Sequence, residues 1–218
     1  MKPNKEPKNM NTKKLALTIV FAALAIALNP TFTQIQLYAP FAQGLIYQIW
    51  EIPIIVALLI ISPIAGVAIS LLNTIVLFAI FPGALPTGPA YNLAATLSMQ
   101  AGIIAALAFG KKVFCRNQDT SMLFKAKWAV VATATGILTR VAFMSAVLYF
   151  ALPQPSPIGF SFPIEATIGY LPLAAVFNAT LALYTIPIAF IIAQRVQKVL
   201  HLTLPQEAKC PIPQETKK

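Results

Sequence analysis

Residues 128–152 read Trp-Ala-Val-Val-Ala-Thr-Ala-Thr-Gly-Ile-Leu-Thr-Arg-Val-Ala-Phe-Met-Ser-Ala-Val-Leu-Tyr-Phe-Ala-Leu. Arg140 alone interrupts an uncharged run long enough to cross a bilayer, which takes about 20 residues as a helix. Before the run lie Lys111, Lys112, Arg116, Lys125 and Lys127; after it, 153–167 has no Lys or Arg. Five further stretches repeat the pattern: Leu15–Leu28, Leu45–Ile61, Ile64–Phe81, Tyr91–Phe109 and Ile168–Ala193. The first is short, but Lys13 and Lys14 can snorkel to water and lengthen it.

Over its 218 residues the chain is 58% hydrophobic and only 10% charged. A soluble domain carries about 25% charged residues, so the charges here are too few to solvate a soluble surface. The expected fold is all-α: a polytopic membrane protein with six transmembrane helices in one bundle over 13–200. A disordered cytoplasmic N-terminus (1–12) precedes it and a proline-containing cytoplasmic tail (201–218) follows. Ser62–Pro63 leaves room only for a tight turn, which makes the second and third stretches an antiparallel hairpin.

The net charge of +10 is segregated rather than spread. Loops 29–44, 82–90 and 153–167 have no Lys or Arg, whereas the N-terminus, the loop between the fourth and fifth stretches and the segment from Arg195 onward are basic. That asymmetry is the positive-inside pattern and puts both termini in the cytoplasm of a multi-pass plasma-membrane protein. It accounts for the basic balance without nucleic acid. The N-terminus has some features of a cleavable signal, but the loop alternation works best with the first helix retained. Cys115 and Cys210 fall on the reducing side, at a spacing that supports neither a disulfide nor a metal framework.

Polar residues within the stretches are the functional candidates, because each costs free energy in hydrocarbon unless partnered. Arg140 lies twelve residues past Trp128, roughly 18 Å into its helix and near the midplane. A charge there costs at least about 2.5 kcal/mol on the most lenient scale. Either it pairs with Glu51 and braces the bundle, or it meets an anionic or carbonyl-rich ligand. Asn92, Thr96 and Gln100 recur at i, i+4, i+8 on one face of the fourth stretch; Gly136, Arg140 and Met144 share a face of the fifth; Asn178 and Thr185 share one of the sixth. Singly, such residues form interhelical hydrogen bonds; together, at similar depth, they point to a polar pocket open toward the outer loops. Tyr91 and Phe143 are the aromatic candidates for packing on a ligand. Tyr47, Trp50 and Tyr170 also lie near outer ends, where anchoring at the interface competes with stacking. Proline-rich outer loops serve either as shaped lids or as stiff connectors.

On the first stretch Ala16, Ala23 and Ala27 share a face, widened by Ala22 and Ala25. Small residues permit close helix approach, either within the bundle or as a docking face for another membrane subunit. No Gly-rich phosphate loop is present, so the chain is not expected to use ATP itself. The single histidine, His201, lies in the tail, and no metal cluster or paired nucleophile and base is evident. Neither a metal, a cofactor nor enzymatic activity is expected.

The run Tyr47-Gln-Ile-Trp-Glu-Ile-Pro-Ile, then Ile61-Ser-Pro-Ile-Ala-Gly-Val-Ala, then Gly83–Asn92 resembles the substrate-binding S components of energy-coupling factor (ECF) vitamin transporters, most closely the riboflavin type. The opening Lys13-Lys-Leu-Ala-Leu-Thr and its alanine-rich helix, Glu51-Ile52-Pro53, Asn92–Leu97 and Gly169-Tyr-Leu-Pro-Leu extend the likeness over about 13–195. The resemblance implies six helices and an outer vitamin pocket formed by the later helices and capped by the first outer loop. It also implies docking through Ala16, Ala23 and Ala27 onto a transmembrane coupling subunit driven by two ATPase subunits. Leu148 and Phe177 stand where riboflavin-type members carry Asn and Lys, and Arg140 has no counterpart there. A different vitamin or precursor with an anionic group is therefore the alternative substrate. A membrane scaffold and a small intramembrane enzyme are the alternatives of other classes.

Overall fold

A computed structural model describes residues 12–33, 37–41, 45–80, 87–115 and 126–200. The terminal segments 1–11 and 201–218, Cys210, the basic loop 116–125 and residues 81–86 lie outside the described residues. The chain forms α1 (Thr12–Ala27), a single-turn α2 (Pro30–Thr33), α3 (Glu51–Ile60), α4 (Pro63–Ile80), α5 (Thr87–Cys115), α6 (Ala126–Ala151) and α7 (Ile164–Leu200). Among the described residues the extended pairing is a lone antiparallel bridge between Tyr38 and Ile46.

Helix α3 is the hub. It packs against α1, α4 and α7 and touches α5, while α5–α6 and α6–α7 form the other broad interfaces. From Pro53 to Ile60 every residue is buried, so this helix is apolar all round, as a helix enclosed by others must be. Around it Phe21, Ala25, Ile69, Met99, Ile103, Ala132, Ile186 and Phe190 complete one contiguous core. The hairpin at Ser62–Pro63 has the expected form: the Ser62 hydroxyl accepts the Ala65 N–H at 3.1 Å, and Pro63 takes the first helical position, where no N–H is needed. Gly66 follows one turn on; a Cβ there would fall 2.8 Å from Leu58 Cβ and 3.0 Å from Gln100 Oε1. That glycine is where α4 passes close to α3.

Four helices, α4 to α7, are long and apolar enough to cross a membrane. The expectation for Leu45–Ile61 needs correction: only Glu51–Ile60, ten residues, is helical. Ten residues rise roughly 15 Å, about half a hydrocarbon core. Pro53 is the physical reason. It has no N–H and its ring clashes with the carbonyl four residues back, so it belongs in a first turn and keeps the helix from starting much earlier. Residues 45–47 instead join the bridged loop, with Ala39 N–H donating to Leu45 O and Tyr47 N–H to Leu37 O, both at 2.8 Å. Thr12, expected in the polar N-terminus, begins α1, and α7 overruns its expected limits at both ends.

Large apolar side chains stay exposed along the outside of the bundle, among them Ile64, Ile75, Val130, Leu138 and Phe150, all above 60%. Soluble monomers do not present so continuous an apolar exterior, whereas hydrocarbon accommodates it. Lys13, Lys14, Lys127, Arg195 and Lys198 lie at one end of the bundle, set by the starts of α1 and α6 and the end of α7.

Candidate ligand-binding cavity and the ion pair beneath it

Arg140 and Glu51 settle the local arrangement, because neither can be left unpartnered: their side chains are 1% and 0% exposed. Arg140 projects from the middle of α6. Glu51 is the first residue of α3, where the helix N-terminus favours a carboxylate. The two make a fork-on-fork pair, with Nη1 donating to Glu51 Oε2 at 2.6 Å and Nη2 to Oε1 at 3.0 Å. Nε donates to Asn178 Oδ1 on α7 at 3.0 Å, and Nη1 also reaches Met99 Sδ on α5 at 3.5 Å. Asn178 is held in turn by its own Nδ2 donating to Ala174 O at 2.9 Å. The Thr96 hydroxyl lies 3.0 Å from Glu51 Oε1 and 2.8 Å from Asn92 O, and its single proton serves one of them at a time. One ion pair thus joins α3, α5, α6 and α7.

Above this pair is a cavity of about 530 Å³, within the size range of small-molecule sites. Arg140 and Asn178 border it at depth; Leu152, Phe160 and Phe162 border it at the loop end. The distance from Arg140 to the end of α6 at Ala151 is roughly 16 Å along the helix. That end is opposite the lysine-bearing one, as the helix directions require.

Each wall follows a helical face. On α6, Arg140, Met144 and Leu148 recur every four residues, a row that Leu152 continues just past the helix end; on α7, Tyr170, Ala174 and Asn178 do the same; on α5, Tyr91, Asn92 and Ala95 line the third side. The loop before α3 closes the fourth side with Leu45, Ile46, Gln48 and Trp50. Its position is fixed by several contacts. Asn92 Nδ2 donates to Gln48 Oε1 at 2.6 Å; the Tyr47 hydroxyl lies 3.3 Å from Thr180 Oγ1; and the Tyr47 ring packs on Phe177 and Tyr184 at 5.4 and 5.9 Å. The loop between α6 and α7 is tied down by the Tyr91 hydroxyl, which donates to Ile158 O at 2.6 Å.

Of the residues nominated from sequence, the structure brings Tyr91, Asn92, Arg140 and Asn178 to the cavity wall. Glu51 and Thr96 lie behind the wall as partners of Arg140 and of each other. Gln100 belongs elsewhere: its Nε2 donates to Ser70 Oγ on α4 at 2.6 Å. Phe143 is half exposed and lies on an outward apolar groove between α5 and α6 with Leu97 and Thr139. Ala16, Ala23 and Ala27 are exposed, whereas Ala22 and Ala25 turn inward, at 7% and 0% exposure. Trp50, read above as an anchor or a stacking residue, and Met144, placed on the Arg140 face, both border the cavity, and Gln48, Phe160 and Phe162 join them. Stepping by four from Arg140 finds Met144, whereas the loop residues give no comparable signal. Leu148 and Phe177, noted as departures from the riboflavin-type pattern, both border the cavity.

No protein-family model matches the sequence, and no curated protein does either. Among solved structures, the chain is similar to one described as "Structure and mechanism of the S component of a bacterial ECF transporter", with a TM-score of 0.64 and 19% identity over 87% of this chain and 98% of that one. At that identity the likeness establishes a shared fold.

Proposed function

We propose that this protein is the substrate-binding subunit of an ECF-type uptake transporter: a multi-pass plasma-membrane protein with both termini inside, which captures a small vitamin-like molecule at its outer end. The observation that carries the reading is the cavity walled by α5, α6, α7 and the loop before α3 at the end opposite the lysines. The fold shared with an ECF S component and the four long apolar helices support it. Tyr91, Asn92, Arg140 and Asn178 are the proposed contacts, with Glu51 and Thr96 fixing the guanidinium. Riboflavin is the first candidate substrate, on the sequence resemblance alone. The exposed face of Ala16, Ala23 and Ala27 is the proposed docking face for a transmembrane coupling subunit, which two ATPase subunits would power.

Purification in detergent followed by extraction and identification of bound small molecules tests the reading. A yellow preparation with flavin absorbance supports riboflavin, and a colourless one holding another vitamin moves the substrate while keeping the class. A protein that carries nothing, and that no vitamin stabilises against heat, contradicts capture.

A further inference from the structure

We infer that the cavity selects an uncharged ring-bearing ligand, because Glu51 keeps Arg140 from attracting anions and the wall around the pair is largely aromatic and apolar. The inference rests on the capture reading above and adds the chemical class of the substrate. It turns away from the anionic alternative suggested by a lone arginine in the sequence.

Arg140 is the one charged side chain among the residues bordering the cavity. A guanidinium has five N–H donors, and four are engaged: one by Asn178, two by Glu51 and one by Met99. Its charge is matched by a carboxylate that is itself fully buried. A carboxylate or phosphate entering from water would lose hydration and find a neutral pair beneath it. It could claim Arg140 only by displacing Glu51 and leaving that carboxylate buried without a counter-ion. An uncharged ligand meets no such obstacle.

The remaining surface is suited to flat rings. Among the described residues six aromatics border the cavity: Trp50, Tyr91, Phe160, Phe162, Tyr170 and Phe177. Trp50 is 6% exposed and borders the cavity on the loop before α3.

The chain has two tryptophans, Trp50 and Trp128, so Trp128→Phe leaves Trp50 as the sole indole reporter. Detergent-solubilised full-length Trp128→Phe is titrated with matched neutral and anionic probes: riboflavin and riboflavin 5′-phosphate, nicotinamide and nicotinate, biotinamide and biotin. In at least one pair the neutral member is expected to quench Trp50 at a concentration about tenfold or more below its anionic partner, equivalent to about 1.4 kcal/mol. Glu51→Gln, which frees the Arg140 charge, is expected to reduce that preference about tenfold or reverse it. A wild-type preference for the anion in the binding pairs overturns the inference, whether or not Glu51→Gln folds. An unchanged ratio in folded Glu51→Gln overturns it as well. If no probe of either charge perturbs Trp50, and the protein, though it melts cooperatively, carries no small molecule and is stabilised by no vitamin, it is the capture reading that fails, and the inference falls with it.

Discussion

Arg140 and Glu51 are 89 positions apart in sequence and 2.6 Å apart in space, enclosed so completely that neither reaches water. A pair of this kind is poor evidence for stability by itself, because desolvation consumes much of the Coulomb gain; breaking it is another matter. Arg140→Ala leaves Glu51 charged and alone, and should lower stability by about 3–5 kcal/mol. A reduced melting temperature in detergent, with insertion intact, checks this. Replacing both partners with apolar residues, Glu51→Leu with Arg140→Met, should recover most of that loss, since no orphan charge remains. A double variant as unstable as the single one would show that Asn178 and Thr96 depend on the pair more than its charge balance implies. Both alternatives for Arg140 could be read from sequence; choosing between them could not. Depth alone makes Glu51 look too shallow, because an apolar run from Leu45 suggests an earlier helix start. Pro53 was the available clue that the helix begins at Glu51, where its first turn faces Arg140.

At the scale of elements, α5 and α6 pass close together at Gly102. A Cβ on Gly102 would collide with Thr139 Oγ1, lie 2.7 Å from Thr135 O and lie 3.0 Å from Gly136 Cα. The missing side chain of Gly102 lets the two backbones come close, as small residues do in membrane helix pairs, while a Cβ on Gly136 would fall toward Ile186 Cδ1 on α7. Gly102→Ala should therefore cost about 1–3 kcal/mol through overpacking. Gly169→Ala, with nothing within 4 Å of the added methyl, should be neutral or stabilising by up to about 1 kcal/mol through helix propensity. Thermal denaturation of the two variants side by side checks both. Helix α1 offers a second contrast. Ala25→Leu fills a fully buried position and should destabilise the isolated protein; Ala23→Leu projects outward and should leave its melting unchanged. If the exposed alanine face docks a coupling subunit, Ala23→Leu should instead abolish co-purification with that subunit. The all-helical class, the order of the four long apolar helices and the Ser62–Pro63 hairpin were legible because they depend on local pattern. The division of the alanines between inner and outer faces was not, since it depends on where α3 and α4 lie.

The whole molecule is an apolar bundle, basic at one end and hollowed at the other, with an ion pair at the base of the hollow. Sequence periodicity anticipated three polar faces at similar depth, and two of the three meet: Arg140 and Asn178 join at the cavity's lower edge. The third diverges as it descends, with Asn92 at the wall, Thr96 behind it and Gln100 turned to Ser70. A row at i, i+4, i+8 drifts around a 3.6-residue helix, so its far end faces a different neighbour. The central claim is that the hollow holds a small molecule, and one measurement addresses it directly. Native mass spectrometry of the protein purified from cells grown in rich medium is compared with that of Ala95→Trp, which places an indole in the cavity wall. The account predicts a single small-molecule adduct at one-to-one stoichiometry on the wild type and its absence from the folded variant. A bare wild-type protein, or the same adduct on both, would contradict it.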